Sequence, residues 1–208
     1  MNSKSATIKH RQINLNNDII DLIEICERNS NYRWLCCMMK NPNQSYLQNY
    51  VHESFFESNY KIIKESTGRP ILLKNNKKHT SISISHKENI YVIAQSFKKK
   101  HSIGVDIETY NPSKDYSFIA RSLHPNESLA LNKVQRLFSI DLNKSYICIW
   151  TIKECLVKIL NKKVDWYDIE IKISKHDQFE FYVKNTRLVN AQVKVCFDNN
   201  IIISVVYI

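Results

Sequence analysis

Asp106 and Glu108 stand two residues apart in the run Ile103-Gly104-Val105-Asp106-Ile107-Glu108. Side chains alternate along a strand, so the two carboxylates share one face while Ile103, Val105 and Ile107 share the other. Like charges held that close repel unless a cation lies between them. A hard divalent cation such as Mg²⁺ takes oxygen ligands of this kind and keeps room for phosphate. A solvated strand face satisfies the same pattern, so the pair alone decides nothing.

A second grouping lies farther along. Trp150, Glu154 and Lys158 recur every four residues and so share one stripe of a helix, while Ile149, Ile152, Leu156, Ile159 and Leu160 lie near a face suited to burial. An exposed Glu154–Lys158 ion pair would be worth only about 0.3–0.5 kcal/mol and would need no function. A third candidate is Ser85-His86, at the end of an alternating strand. Its hydroxyl and imidazole can both donate to phosphate oxygens, although a histidine at a strand end equally serves a structural role.

The elements that would position these groups follow from the patterning. Asn17 and Asp18 read as caps before Ile19, Ile20, Leu22, Ile23 and Cys26, which predicts a helix, and a second helix is expected over about 44–57. Gly68-Arg69-Pro70 marks a turn. Ser81-Ile82-Ser83-Ile84-Ser85 alternates as a half-buried strand does, with 91–97 as its partner and 103–108 as a third strand. His124-Pro125-Asn126-Glu127 precedes a helix containing Leu129, Leu131 and Val134, and Asn143 is expected to cap a longer helix over about 144–160. Strands are expected at 169–173, 179–183, 193–197 and 201–206, the last two joined through Asp198-Asn199-Asn200 as a hairpin. Helices thus precede strands twice, which predicts an α+β fold of two pseudo-symmetric halves, 1–100 and 101–208, with the active site in the cleft between them.

Composition sets the outer bounds. A chain of 208 residues that is 43% hydrophobic can bury a core, and two glycines with four prolines exclude a linker-rich or fibrous protein. No run approaches the roughly 18 apolar residues of a membrane span. The first eleven residues lack an apolar core followed by a cleavage site, so a cytoplasmic protein without a membrane partner is expected. The six cysteines show no C-x-x-C and no zinc spacing, and they read as reduced, mostly buried thiols. A formal charge of +10 suits nucleic acid, an anionic membrane, an acidic protein or a phosphate-rich ligand, and also a merely solvated lysine surface.

Order and spacing join the pieces. Gly68-Arg69-Pro70, then Ser85-His86, then Gly104-Val105-Asp106-Ile107-Glu108, then Trp150-Thr151-Ile152-Lys153-Glu154-Cys155-Leu156-Val157-Lys158 resembles the phosphopantetheinyl transferase superfamily, in length and layout its Sfp-type branch rather than the short holo-acyl-carrier-protein synthases. Glu127 resembles another recurrent acidic position. The resemblance implies transfer of the phosphopantetheine arm of coenzyme A onto a serine of an apo acyl or peptidyl carrier protein, with release of 3′,5′-phosphoadenosine, by a monomer. It implies that Asp106, Glu108 and Glu154 hold Mg²⁺ against the pyrophosphate. Lys158 would neutralise phosphate charge, and Glu154 is the candidate proton acceptor. Ser85 and His86 would contact the 3′-phosphate, with Arg69 near the same ligand. Lys153 faces either ligand or solvent on this reading.

Three departures stand out. Asn161 replaces a common glycine, Cys155 replaces a small alanine or serine, and no upstream basic cluster is evident beyond Arg33 and Lys40. A nucleic-acid-binding protein would explain the charge but not the carboxylates, and no nucleic-acid motif is recognisable. A Mg²⁺-dependent nuclease would use the same acidic triad but leave Trp150 and Ser85-His86 without a role. A non-catalytic carrier-binding relative is a further alternative, against which all three acidic residues and Lys158 are retained.

Overall fold

The computed structural model describes residues 7–15, 18–28, 31–39, 49, 52–53, 55–56, 59–98, 101–161 and 164–208. They form an α+β protein of two compact units, residues 1–103 and 104–208.

The first unit is built on a seven-stranded sheet in the order β1-β2-β3-β7-β6-β5-β4. Its strands are β1 Thr7–Leu15, β2 Asp18–Arg28, β3 Tyr32–Met39, β4 Tyr60–Lys64, β5 Pro70–Lys74, β6 Lys77–Lys87 and β7 Ile90–Ser96. Every pairing resolved between them is antiparallel. The helix expected after Asn17 and Asp18 is β2 instead. Ile19, Ile20, Ile23 and Ile25 are β-branched and favour extended backbone. The residues pair with β1 on one side and β3 on the other, Ile23 standing opposite both His10 and Met38. Short apolar runs satisfy helical and extended periods alike, and the long-range pairing decides. Most of the helix expected over 44–57 lies outside the described residues, though Asn49, His52, Glu53 and Phe55 are helical. Phe55 and Phe56 join Leu35, Cys37, Leu72, Ile82, Tyr91 and Ile93 in the core of this unit.

The alternating run 81–85 lies in β6, and its partner is β7, with Ser85 opposite Val92 and His86 opposite Tyr91. At the turn before β5, Gly68 adopts φ +84°, which glycine enters without a Cβ penalty, and its N–H donates to the Glu65 carbonyl at 2.8 Å.

The second unit holds two three-stranded sheets and two helices. One sheet has the order β12-β13-β8 and the other β11-β10-β9. Strand β8, Ile103–Thr109, leads into this unit; β9 is Ile169–Ile173, β10 Phe179–Val183, β11 Thr186–Leu188, β12 Gln192–Asp198 and β13 Ile201–Tyr207. A two-residue turn joins β12 to β13, with Asn199 at φ 51°, a left-handed conformation that asparagine tolerates. Helix α1 is Ser128–Phe138 and α2 is Leu142–Leu160. Asp141, not Asn143, caps α2, its Oδ1 accepting from the Lys144 N–H at 2.8 Å. Helix α2 packs on β13, burying Ile149, Ile152 and Leu156 with Ile202 and Val206. Cys148 and Cys155 are fully buried there, and burial pushes both thiols well above their ordinary range. Among the described residues no helix is long and apolar enough to cross a membrane.

Candidate active site

Gly104 sets the approach of α2 to β8. A Cβ at this residue would lie 2.8 Å from the Cys155 carbonyl carbon and closer still to its oxygen, so only a residue without a side chain lets the helix lie against the strand. Gly104, Asp106 and Glu108 have the same parity in β8 and therefore share the face that α2 covers. Asp106 is consequently buried at 6% exposure, which corrects any picture of it on a solvated strand face.

Lys158, near the end of α2, reaches down to this strand. Its ammonium donates to Asp106 Oδ1 at 2.7 Å and to the Val105 carbonyl at 2.8 Å. The ion pair of Lys158 is thus with Asp106, not the i,i+4 pair with Glu154 that helical spacing allowed. Glu154 lies one turn earlier. Burial raises its carboxyl above the usual range, the Asp106 charge raises it further, the Trp166 indole and Lys158 oppose, and Glu108 adds to the rise. Glu154 therefore feels the charges of Asp106, Glu108 and Lys158. Three carboxylates against one ammonium give these four side chains a formal charge of minus two.

Among the described residues no three His, Cys, Asp or Glu side chains converge into a ready-made metal cage. The donor set is nonetheless that of a hard cation: carboxylate oxygens only, from facing elements, carrying the charge that a divalent ion balances. Their donor chemistry, though not their arrangement as a preformed cage, is the kind Mg²⁺ takes.

Lys153 faces neither ligand nor solvent. Its side chain and that of Glu127 are both fully buried, with Nζ 2.7 Å from Glu127 Oε2. Lys153 also donates to the carbonyls of Trp166 at 2.9 Å and Ser122 at 3.2 Å, filling the three donors of an ammonium. Glu127 accepts in addition from the N–H groups of His124 and Ile171. Burial raises the Glu127 carboxyl and lowers the Lys153 ammonium, each opposed by its partner. Its spacing was a usable signal: Lys153 is four residues after Ile149 and three before Leu156, on the buried face of α2.

The departures at Cys155 and Asn161 now have physical accounts. Cys155 is buried where the strand touches the helix, and its Sγ donates to the Ser204 carbonyl at 3.1 Å. Asn161 ends α2 at φ 46°, with its N–H on the Val157 carbonyl at 3.1 Å. That left-handed cap is the conformation glycine most often supplies and asparagine next.

The model of the 4′-phosphopantetheinyl transferase superfamily matches residues 102–206, half of the chain, spanning Asp106, Glu108, Glu154 and Lys158. The chain belongs to this superfamily. Among solved structures, this phosphopantetheinyl transferase superfamily member is similar to the holo-ACP-synthase from Plasmodium yoelii at 25% identity, over 50% of this chain and 91% of that one, with a TM-score of 0.37. No curated protein matches.

Arg69, Ser85 and His86 lie outside the matched span, in the first unit. Arg69 Nη2 donates to Ser81 Oγ at 3.4 Å. It lines a concavity of about 430 Å³ together with Lys78, His79, Thr80, Ser81, His101 and other residues. Ser85 and His86 are not among the lining residues; Ser85 is buried in β6 and His86 is exposed. Sequence reasoning missed Lys78, His79 and His101, whose grouping appears only when β6 and the segment before β8 come together. Arg33 stands over the Phe55 ring at 4.1 Å and donates to Gln95 Oε1, while Lys40 lies outside the described residues.

Proposed function

We propose that the protein transfers the 4′-phosphopantetheine group of coenzyme A to a serine hydroxyl of an apo acyl or peptidyl carrier protein. The observation that supports this best is the Lys158–Asp106 ion pair where α2 lies on β8, with Glu154 feeling the charges of Asp106, Glu108 and Lys158, all within the span of the family match. In the reaction a serine O–P bond forms and the pyrophosphate P–O bond breaks, releasing 3′,5′-phosphoadenosine.

Asp106, Glu108 and Glu154 would hold Mg²⁺, which when bound supplies positive charge to the pyrophosphate. Lys158 offers its ammonium to the charge that develops on the leaving phosphate, in a partly buried setting where that charge is worth more than in water. Glu154 accepts the serine proton, directly or through a water. Arg69, Ser85 and His86 are assigned to the 3′-phosphate end of the nucleotide. The cationic lining beside Arg69 favours an anionic ligand there. The charge of +10 suits an acidic carrier, whose encounter it would speed in a salt-sensitive way. A cytoplasmic monomer of Sfp-type layout completes the reading.

The test is direct. The protein is incubated with coenzyme A, Mg²⁺ and apo carriers of the fatty-acid, polyketide and peptidyl classes, and each carrier is weighed by mass spectrometry. A phosphopantetheine mass increment that disappears on chelation is expected. No increment on any carrier, with coenzyme A left intact, would overturn the reading.

A further inference from the structure

Two consecutive residues of α2 reach the same partner, the short 3₁₀ turn Trp166–Asp168. Lys153 donates to the Trp166 main-chain carbonyl at 2.9 Å. Glu154 Oε1 accepts from the Trp166 indole N–H, also at 2.9 Å. The indole lies against Trp150, one turn before Glu154 on the same helix, with ring centroids 5.0 Å apart. The turn is fixed from its own side as well, because Asp165 Oδ1 accepts from the Tyr167 N–H at 2.9 Å. Backbone, ring face and ring N–H of Trp166 are therefore each held by α2, and two of these three contacts do not involve Glu154.

An indole N–H donates only, and it cannot release its hydrogen bond by changing protonation state as an acid or base would. Aimed at a carboxylate oxygen, it selects one orientation of a side chain that otherwise has several rotamers. It occupies Oε1 and leaves Oε2 to face another group.

We propose that Trp166 is a positioning residue for Glu154. The buried Lys153 anchors its backbone, and its indole N–H fixes which carboxylate oxygen Glu154 presents to a divalent cation. The proposal rests on the metal role assigned to Glu154 under Proposed function. Outer partners of this kind typically change metal affinity or activity by about 10–100-fold when removed.

The experiment measures Mn²⁺ affinity by electron paramagnetic resonance on the full chain, without carrier or turnover. Trp166→Phe keeps a ring to pack on Trp150 but has no N–H. It is expected to melt close to the parent and to bind Mn²⁺ about tenfold more weakly. Trp166→Phe with parental affinity, while Glu154→Gln loses Mn²⁺, overturns the positioning role and leaves the metal site standing. A parent that fails to bind Mn²⁺, or an unaffected Glu154→Gln, overturns the metal reading and this inference with it. If Trp166→Phe does not fold, the sequentially assigned ¹H–¹⁵N indole cross-peak of Trp166 in the parent decides. It is expected to move during Mg²⁺ titration, and a stationary peak during a titration that shifts the Glu154 backbone amide rejects the proposal.

Discussion

Lys158 bridges helix α2 to strand β8, its ammonium 2.7 Å from Asp106 Oδ1 and 2.8 Å from the Val105 carbonyl. The residue thus has two partners on the strand, and its charge also acts on Glu154. Removing it takes the ion pair from Asp106 and an opposing positive charge from Glu154. Lys158→Ala should therefore melt lower than the parent without metal, and Mg²⁺ should raise its melting temperature more than it raises the parent's. Single-turnover transfer should fall about 100-fold, which corresponds to about 2.7 kcal/mol of barrier. Parental turnover with an unchanged Mg²⁺ response would assign Lys158 a purely structural role.

Asp106→Ala separates metal from scaffold differently. It removes one of the three carboxylates and relieves part of their mutual repulsion, while Lys158 keeps the Val105 carbonyl. Transfer should be abolished and the Mg²⁺-dependent rise in melting temperature lost, with circular dichroism unchanged. An active Asp106→Ala would rule out this metal site.

Gly104→Ala tests the close approach on which the site depends. The added methyl meets backbone, not the far end of a flexible side chain, so strand and helix must separate. Overpacking of this kind costs about 1–3 kcal/mol, measurable by urea unfolding. Because Asp106 and Glu154 lie on the two elements forced apart, Mn²⁺ affinity should fall as well. Unfolding and affinity both at parental values would mean that the contact is not what joins the two elements.

Asn161 offers a backbone prediction. Asn161→Gly should change stability little, since glycine enters φ near 46° freely. Asn161→Ala should cost about 1 kcal/mol, because a Cβ without a compensating polar group is strained in that region. Equal urea midpoints for the two variants would contradict the left-handed cap.

Local signals carried well where chemistry and period agreed. The alternating 81–85, the hairpin through Asn199 and Asn200, and the stripe of Glu154 and Lys158 are each visible within a few residues. Ile19 to Cys26 was not legible because its identity as β2 rests on pairing with two other strands, which a short window does not contain. The sequence pattern marks Asp106 as a candidate ligand but does not show its burial. Its cover is α2, some fifty positions away in sequence, admitted by the missing side chain of Gly104. Lys153, expected to face ligand or solvent, is buried instead, and the partner that makes burial tolerable, Glu127, lies in another segment.

The Lys153–Glu127 pair yields the pH prediction. Both side chains are fully buried, and removing one member strands a charge in the core, a loss of about 3–5 kcal/mol. Lys153→Met should therefore unfold at much lower urea than the parent. Burial already raises the Glu127 carboxyl, and Lys153 is the leading influence holding it down, so the variant should raise it further. A group whose folded-state value lies above its unfolded value stabilises the fold below the unfolded value, and that stability is lost as pH rises through the folded value. Relative to the parent, Lys153→Met should accordingly be least destabilised near the acid end of the folded range and progressively worse toward neutral pH. Adding Glu127→Gln removes the stranded charge, so the double variant should recover part of the stability at pH 7 and lose the extra pH dependence. Urea midpoints for parent, both single variants and the double variant, taken at pH 5 and pH 7.5, close the cycle. A Lys153→Met deficit that is the same at both pH values, or a double variant no more stable than Lys153→Met at pH 7.5, would contradict a charged, mutually compensating pair in the core.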